Sequence, residues 1–135
     1  MATASVAREL PLQLVHYVRQ SFAYNTKGVD TGLAISRPLP AGAVILNVGL
    51  YVTTGFNAGT TNDITVGTNS TDYNNLIASA DFTAEETGVV LVKANASVKP
   101  LAADTAVYVK YLASGTAASA GAGTVVVSYI VDNDR

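Results

Sequence analysis

Hydrophobic and polar residues alternate along much of this 135-residue chain, and the alternation is clearest between residues 44 and 53. The even positions there are apolar, namely Val44, Leu46, Val48, Leu50 and Val52. Because successive side chains of a β-strand point to opposite sides of a sheet, this period predicts a strand with one buried side. At about 3.3 Å per residue the run spans roughly 30 Å, which favours a central strand over an edge strand. Pro40 and Gly42 predict a tight turn before it.

Shorter stretches of the same alternation predict further strands along the chain. They are residues 12–24, 29–35, 64–67, 89–92, 104–112 and 124–131. Residues 76–82 fit a strand and a helical turn equally well. The Gly-, Ala- and Ser-rich residues 114–123 are short enough to form a hairpin loop into the last strand. About eight strands without a long helical period predict an all-β, single-domain sandwich, and the jelly roll is the eight-stranded form of that fold.

The two ends of the chain differ from this alternating body. Residues 1–10 are small and polar, so we expect a short N-terminal arm in front of a sandwich domain of residues 11–135. The arm lacks the basic and apolar regions of a secretory signal, and no apolar run reaches the roughly 18 residues of a membrane-spanning helix. These features predict synthesis in the cytoplasm and no membrane partner.

Charged residues are scarce in this sequence. Asp, Glu, Lys and Arg make up 13% of it, where about 25% is usual. Since charged residues are depleted at the cores of protein interfaces, we interpret the deficit as a surface that other subunits cover. Lys and Arg are absent between Pro38 and Val92, whereas carboxylates occur there. A nucleic acid partner is not expected, because binding phosphates requires a basic face.

Residues with catalytic potential are few. Asp30-Thr31-Gly32 matches the triplet of aspartic proteases, which pair two such carboxylates across subunits or lobes. Leu33 follows it where those proteases usually have a small hydroxyl residue or Ala, so a turn entering a strand is the favoured interpretation. His16 is the single histidine and lies in the pattern of an apolar strand, which favours a structural role or a subunit contact over a general base. With no Cys and no calcium-motif spacing, we expect no enzyme activity, no metal and no cofactor.

Several motifs can be considered together. They are Leu39–Ile45 running into Asn47-Val48, Thr53–Asn57, Thr65–Thr68, Asp104–Val109, Gly115–Gly121 and Thr124–Ile130. Together they resemble the small structural proteins of tailed bacteriophages that are commonly encoded near the major capsid protein. The resemblance covers roughly residues 29–134.

This resemblance implies a jelly-roll capsid decoration protein, also called a cement protein. Such a protein binds the major capsid protein on the outer surface of the assembled capsid and bridges neighbouring capsomers. The resemblance also implies a virion protein made in the host cytoplasm that self-associates, with a homotrimer favoured over a homodimer. For contacts with the capsid or between subunits we predict Arg8, Leu10, His16, Tyr17, Arg19, Phe56 and Tyr73.

The main alternative is a receptor-binding or glycan-binding module of a phage fibre or tail, because jelly rolls also form lectins. In that case the loops at residues 55–62, 68–75 and 114–123 would cluster at one end of the sandwich. Phe56 and Tyr73 would then be exposed aromatic side chains for the ligand. A neck or tail component of the same virion is a further alternative.

Overall fold

The long alternating stretch forms the central strand β3 (Ala43–Thr54) in a computed structural model that describes residues 15–93 and 100–131. The other strands are β1 (His16–Ala23), β2 (Leu33–Ala34), β4 (Thr61–Gly67), β5 (Gly88–Lys93), β6 (Tyr108–Ser114) and β7 (Ala122–Val131). A short 3-10 helix covers Ser79–Asp81. The predicted arm of residues 1–10, with Arg8 and Leu10, lies outside the described residues. So do the first residues predicted for β1.

The strands form two antiparallel sheets with the orders β1-β7-β3-β5 and β2-β6-β4. An isolated bridge between Ile77 and Val66 of β4 adds an eighth strand position at the edge of the smaller sheet. The two sheets then have the strand order of a jelly roll. The predicted jelly-roll-like sandwich is therefore confirmed. Residues 76–82, which fitted a strand and a helical turn equally well, form the isolated bridge at Ile77 and then the 3-10 helix. A single paired position does not make a strand.

The core lies between the inward sides of the two sheets. Its largest fully buried side chains are Phe56, Leu39, Leu50, Ile64, Ile77, Val66, Val107, Val109, Val125 and Val127. Burial of apolar area, at about 25 cal/mol per Å², holds the sheets together in a chain that has no Cys for disulfides. In the described part of the chain no helix is long and apolar enough to cross a membrane.

A β-bulge in β3 corrects the predicted burial pattern. Ile45 and Asn47 pair with consecutive residues of β7, which leaves Leu46 between them as an extra residue. A bulge of this kind moves the following side chains to the other side of the sheet. The buried positions are consequently Ala43 and Ile45 before the bulge and Val48, Leu50 and Val52 after it. The prediction that Val44 and Leu46 belong to the buried column was wrong, because it assumed a regular register.

Two connections also differ from the prediction. Residues 29–35 form a strand only at β2, because the chain before it turns and the Gly32 amide donates to the Gly28 carbonyl at 2.9 Å. Residues 114–123 do not form a hairpin loop, since β6 and β7 belong to different sheets. This segment instead crosses from one sheet to the other. Alternation along one strand carries no information about the sheet that the strand joins.

Candidate interaction surfaces

The outward side of the sheet β1-β7-β3-β5, which we call the open face, exposes large apolar side chains. It presents Tyr17 and Arg19 of β1, Val126 of β7, Tyr51 of β3 and Val89 of β5. Tyr17 is 65% exposed and Val89 is 69% exposed, although they lie on opposite edge strands of this sheet. Arg19 is the one charge among these five side chains. Polar residues lie between them, because Tyr17 pairs with Ser128 and Tyr51 pairs with Thr124. Large apolar side chains exposed on one sheet face are candidates for a protein interaction site.

Strand pairing arranges the open face in rows across the sheet. In one row Arg19 pairs with Val126, which pairs in turn with Gly49 of β3. Gly49 has no side chain, so nothing projects from β3 in this row. In the next row Tyr51 pairs with Val89 of β5. The open face therefore spans four strands.

The outward side of the sheet β2-β6-β4, which we call the covered face, is closed in part by the chain itself. Residues 68–75 fold back over it. The Lys110 Nζ donates to the Thr71 carbonyl at 2.8 Å. The rings of Tyr73 and Tyr108 stack with their centroids 4.5 Å apart. On the covered face, Lys110, Tyr73 and Tyr108 therefore have partners within the same chain.

Side-chain amides hold the covering loop in shape. The Asn69 Oδ1 accepts from the amides of Asn74 and Asn75 at 2.9 and 3.3 Å. The Asn75 Oδ1 accepts from the Thr68 amide at 2.7 Å. The side-chain amides of Asn69 and Asn75 therefore form hydrogen bonds within the loop, and the Asn69 Oδ1 already accepts two of them. Across residues 15–93 and 100–131, no three His, Cys, Asp or Glu side chains come together in a way that could hold a metal ion.

A buried polar network joins three segments at one end of the sandwich. Asn62 is 9% exposed, and its Oδ1 accepts from the Tyr111 hydroxyl at 2.7 Å and from the Ala58 amide at 2.9 Å. Its Nδ2 donates to the Glu85 Oε1 at 3.1 Å. Burial, and then the neighbouring Glu85 carboxylate, raise the pKa of Tyr111, so its hydroxyl remains a donor at neutral pH. Asn62 is detectable in the sequence as a polar residue in the apolar phase of β4, but it is not among the predicted residues.

Phe56 is not a surface residue. Its side chain is 1% exposed and packs against Tyr111 and Phe22, with ring centroids 4.6 and 6.0 Å away. The Phe56 amide donates to the Ala84 carbonyl at 3.0 Å, which closes the loop over the core. The prediction of Phe56 as a contact or as an exposed ligand-binding ring was wrong, because a loop position alone does not determine burial.

The other predicted contact residues lie on different surfaces. Tyr17 and Arg19 share the open face. His16 is half-buried on the inward side of β1, where its ring lies 5.7 Å from that of Tyr129. Tyr73 is half-buried on the covered face. The structure therefore brings together Tyr17 and Arg19, and it separates them from His16 and Tyr73.

The loops of the glycan-binding alternative do not all meet. Residues 55–62 and 114–123 are joined, because the Asn57 Oδ1 accepts from the amides of Ser119 and Ala120 at 2.8 and 2.9 Å. Residues 68–75 follow β4 and therefore leave its opposite end. The predicted clustering of three loops was wrong for the third loop.

An open cleft of about 500 Å³ lies between the turn that contains Asp30 and the crossing segment after β6. Asp30 is exposed at this turn. One wall of the cleft is the edge of β6, where the Tyr111 amide donates to the Val29 carbonyl at 2.8 Å. Ala113 lies two residues further on, so its amide and carbonyl point to the same side as those of Tyr111. No described residue forms a backbone hydrogen bond with Ala113 on that side.

The same fold occurs in solved structures of phage capsids. One is a chain of the capsid asymmetric unit of cyanophage Pam1, with a TM-score of 0.68 and 20% identity, covering 96% of this chain and 94% of that chain. Another comes from the acidic stable capsid structure of Helicobacter pylori bacteriophage KHP30, with a TM-score of 0.60, 17% identity and coverage of 87% and 88%. A third belongs to the capsid of Ralstonia phage GP4, with a TM-score of 0.56, 15% identity and coverage of 89% and 86%. No family model matches the chain, and no curated protein matches it.

Proposed function

We propose that this chain is a capsid decoration protein that binds the outer surface of an assembled phage capsid and bridges neighbouring capsomers. The open face carries this proposal, because it is a four-stranded sheet surface on which Tyr17, Tyr51 and Val89 are exposed. A protein whose function is binding needs such an interface area more than it needs reactive groups. Chains of similar length and the same fold come from three phage capsids, which supports a structural role in a virion.

The open face of one chain offers a small contact. Its strands are about 4.8 Å apart and β1 has eight residues, so its projected area is roughly 400 Å². One partner of a standard interface buries about 800 Å² of accessible surface. A second contact would strengthen the attachment, and self-association as a homotrimer would supply it by joining three open faces on one shell. Its partners are then the major capsid protein and further copies of this chain.

The stabilising effect follows from mass action and involves no reaction. A ligand that binds only the assembled shell stabilises it by RT ln(1 + [L]/Kd), about 2.7 kcal/mol per site when the free concentration is 100 times Kd. Because a bound copy would bridge two capsomers, this free energy would stabilise the contacts between neighbouring capsomers. A decoration protein made in the host cytoplasm would then act at the capsid surface without an enzymatic step.

The glycan-binding alternative lacks its expected surface. Phe56 is buried, and Tyr73 stacks on Tyr108. Aromatic side chains engaged in this way are not available for stacking on a sugar. We therefore propose no second function.

Co-sedimentation with expanded empty capsids of the parent phage tests the proposal. We expect the pure protein to bind in a copy number that follows the number of capsomers. A copy number restricted to one vertex would contradict decoration and favour a tail or fibre component. Failure to bind the shell at all would also overturn the proposal.

A further inference from the structure

The cleft beside β6 has the features of a site for an extended peptide segment. The Ala113 amide and carbonyl lie on an unpaired strand edge, and such an edge adds a further strand through main-chain hydrogen bonds. The turn with Asp30 and the crossing segment with Thr116 form the two sides of the cleft. Its remaining wall residues after Ala113 are small, including Gly115 and Ala117. An unpaired strand edge between small side chains fits an extended chain better than a compact ligand.

We propose that this cleft binds the N-terminal arm, residues 1–10, of a second copy of this chain as an added strand beside β6. The proposal rests on the proposed function in one respect, namely that copies of the chain meet in an oligomer. It goes beyond that function by naming the segment and the site that join them. It also supplies a second contact in addition to the small open face.

The sequence of the arm fits the cleft. Residues 2–5 are Ala, Thr, Ala and Ser, whose small side chains can lie beside Gly115 and Ala117. Pro11 has no amide to donate, so pairing would end at the boundary of the arm. A strand of residues 1–10 therefore has a defined end.

Charge also favours this occupant. Asp30 is the one charged residue among the described residues that line the cleft. Arg8 is the one basic residue of the arm. An arm placed along β6 can bring the Arg8 guanidinium to the Asp30 carboxylate. Because Asp30 is exposed, this ion pair would add little affinity. Its main effect would be to fix which arm residue lies opposite each residue of β6.

The direction of β1 argues for a second copy as the source of the arm. β1 begins at His16 and ends at Ala23, beside Tyr24 in the cleft. The arm of the same chain therefore departs from the far end of an eight-residue strand, about 26 Å from the cleft. Residues 11–15 can span about 16 Å of that distance, so roughly three arm residues, Arg8 among them, would be used in returning along β1. The arm of a neighbouring copy has no such requirement.

The complete absence of Cys permits a direct test with the full chain. Two single-cysteine variants, Ser5→Cys and Thr116→Cys, are mixed and oxidised. We expect the mixed disulfide dimer to form in preference to either homodimer. The matched control replaces Thr116→Cys with Ser36→Cys, an exposed position before β3 and outside the cleft. Equal yields with Ser36→Cys would overturn the proposal.

A chain that carries both Ser5→Cys and Thr116→Cys separates the two possible sources of the arm. We expect linkage between chains that increases with protein concentration. Linkage within single chains at every concentration would overturn the assignment to a second copy.

Two further substitutions test the contacts themselves. Ala113→Pro removes the free amide without removing a hydrogen bond within the described fold, so we expect a large loss of mixed dimer with unchanged thermal stability. Asp30→Arg should lower the yield by up to about fivefold, and Arg8→Asp in the other variant should restore it. Asp63→Arg, at an exposed carboxylate outside the cleft, is the control. Unchanged yields with both Ala113→Pro and Asp30→Arg would contradict the proposal.

A negative result in the cross-linking experiment can be distinguished from a negative result in the capsid assay. Cross-linking is measured without capsids, and capsid binding is measured without cysteine variants. A chain that cross-links as expected but ignores the shell refutes only decoration. A chain that decorates the shell without the mixed disulfide refutes only the arm site.

Discussion

The open face and the covered face are both outward sides of antiparallel sheets, yet the described residues 15–93 and 100–131 close only the covered face. On the covered face the ring of Tyr73 stacks on Tyr108, and residues 68–75 lie over the strands. On the open face Tyr17 and Val89 remain in contact with water. Aromatic contacts on the covered face stabilise the fold, whereas the exposed rings of the open face are the ones that we propose contact the capsid.

The largest expected effect comes from removing apolar side chains on the open face. We predict that Tyr17→Ser combined with Val89→Ser weakens capsid binding by about 3 kcal/mol, roughly 100-fold, because two large exposed side chains no longer become buried. The free energy of unfolding should change by less than about 0.5 kcal/mol, since neither side chain lies in the core. Co-sedimentation titrations and denaturant unfolding measure the two quantities.

Asp63→Ser is the control on the covered face, where Asp63 is an exposed side chain of β4 outside the cleft. It should leave capsid binding unchanged. If Asp63→Ser weakened binding as much as the double substitution, the covered face would be the contact surface.

A smaller effect is expected from Tyr73→Ala, which removes an aromatic stack from the covered face. We predict a loss of about 1 kcal/mol in the free energy of unfolding, because such pairs contribute about 0.5–1.5 kcal/mol beyond burial. Tyr17→Ala is the matched change on the open face and should not alter unfolding. Thermal or chemical denaturation of the two variants provides the measurement. Equal losses would mean that Tyr17 also has an intramolecular partner.

The sequence predicts the open face better than the covered face. Alternation along β1 places His16, Val18 and Phe22 on the inward side, and it therefore assigns Tyr17 and Arg19 to the outward side. The return of residues 68–75 over Tyr108 could not be predicted, because it depends on contacts between segments far apart in sequence. The bulge at Leu46 and the burial of Phe56 escaped prediction for the same reason: register and loop closure depend on tertiary packing rather than on local pattern.

The smallest expected effect compares one basic residue from each face. Lys110 donates to the Thr71 carbonyl on the covered face, whereas Arg19 on the open face has no hydrogen-bond acceptor for its side chain among the described residues. We predict that Lys110→Gln lowers the free energy of unfolding by about 0.5 kcal/mol, because one exposed hydrogen bond to the loop is lost. Arg19→Gln should leave unfolding unchanged and should instead weaken the salt dependence of capsid binding. Denaturation measures the stability of both variants, and co-sedimentation at two ionic strengths measures their capsid binding. A loss of stability with Arg19→Gln would show that Arg19 has a stabilising partner within the chain, as Lys110 has on the covered face.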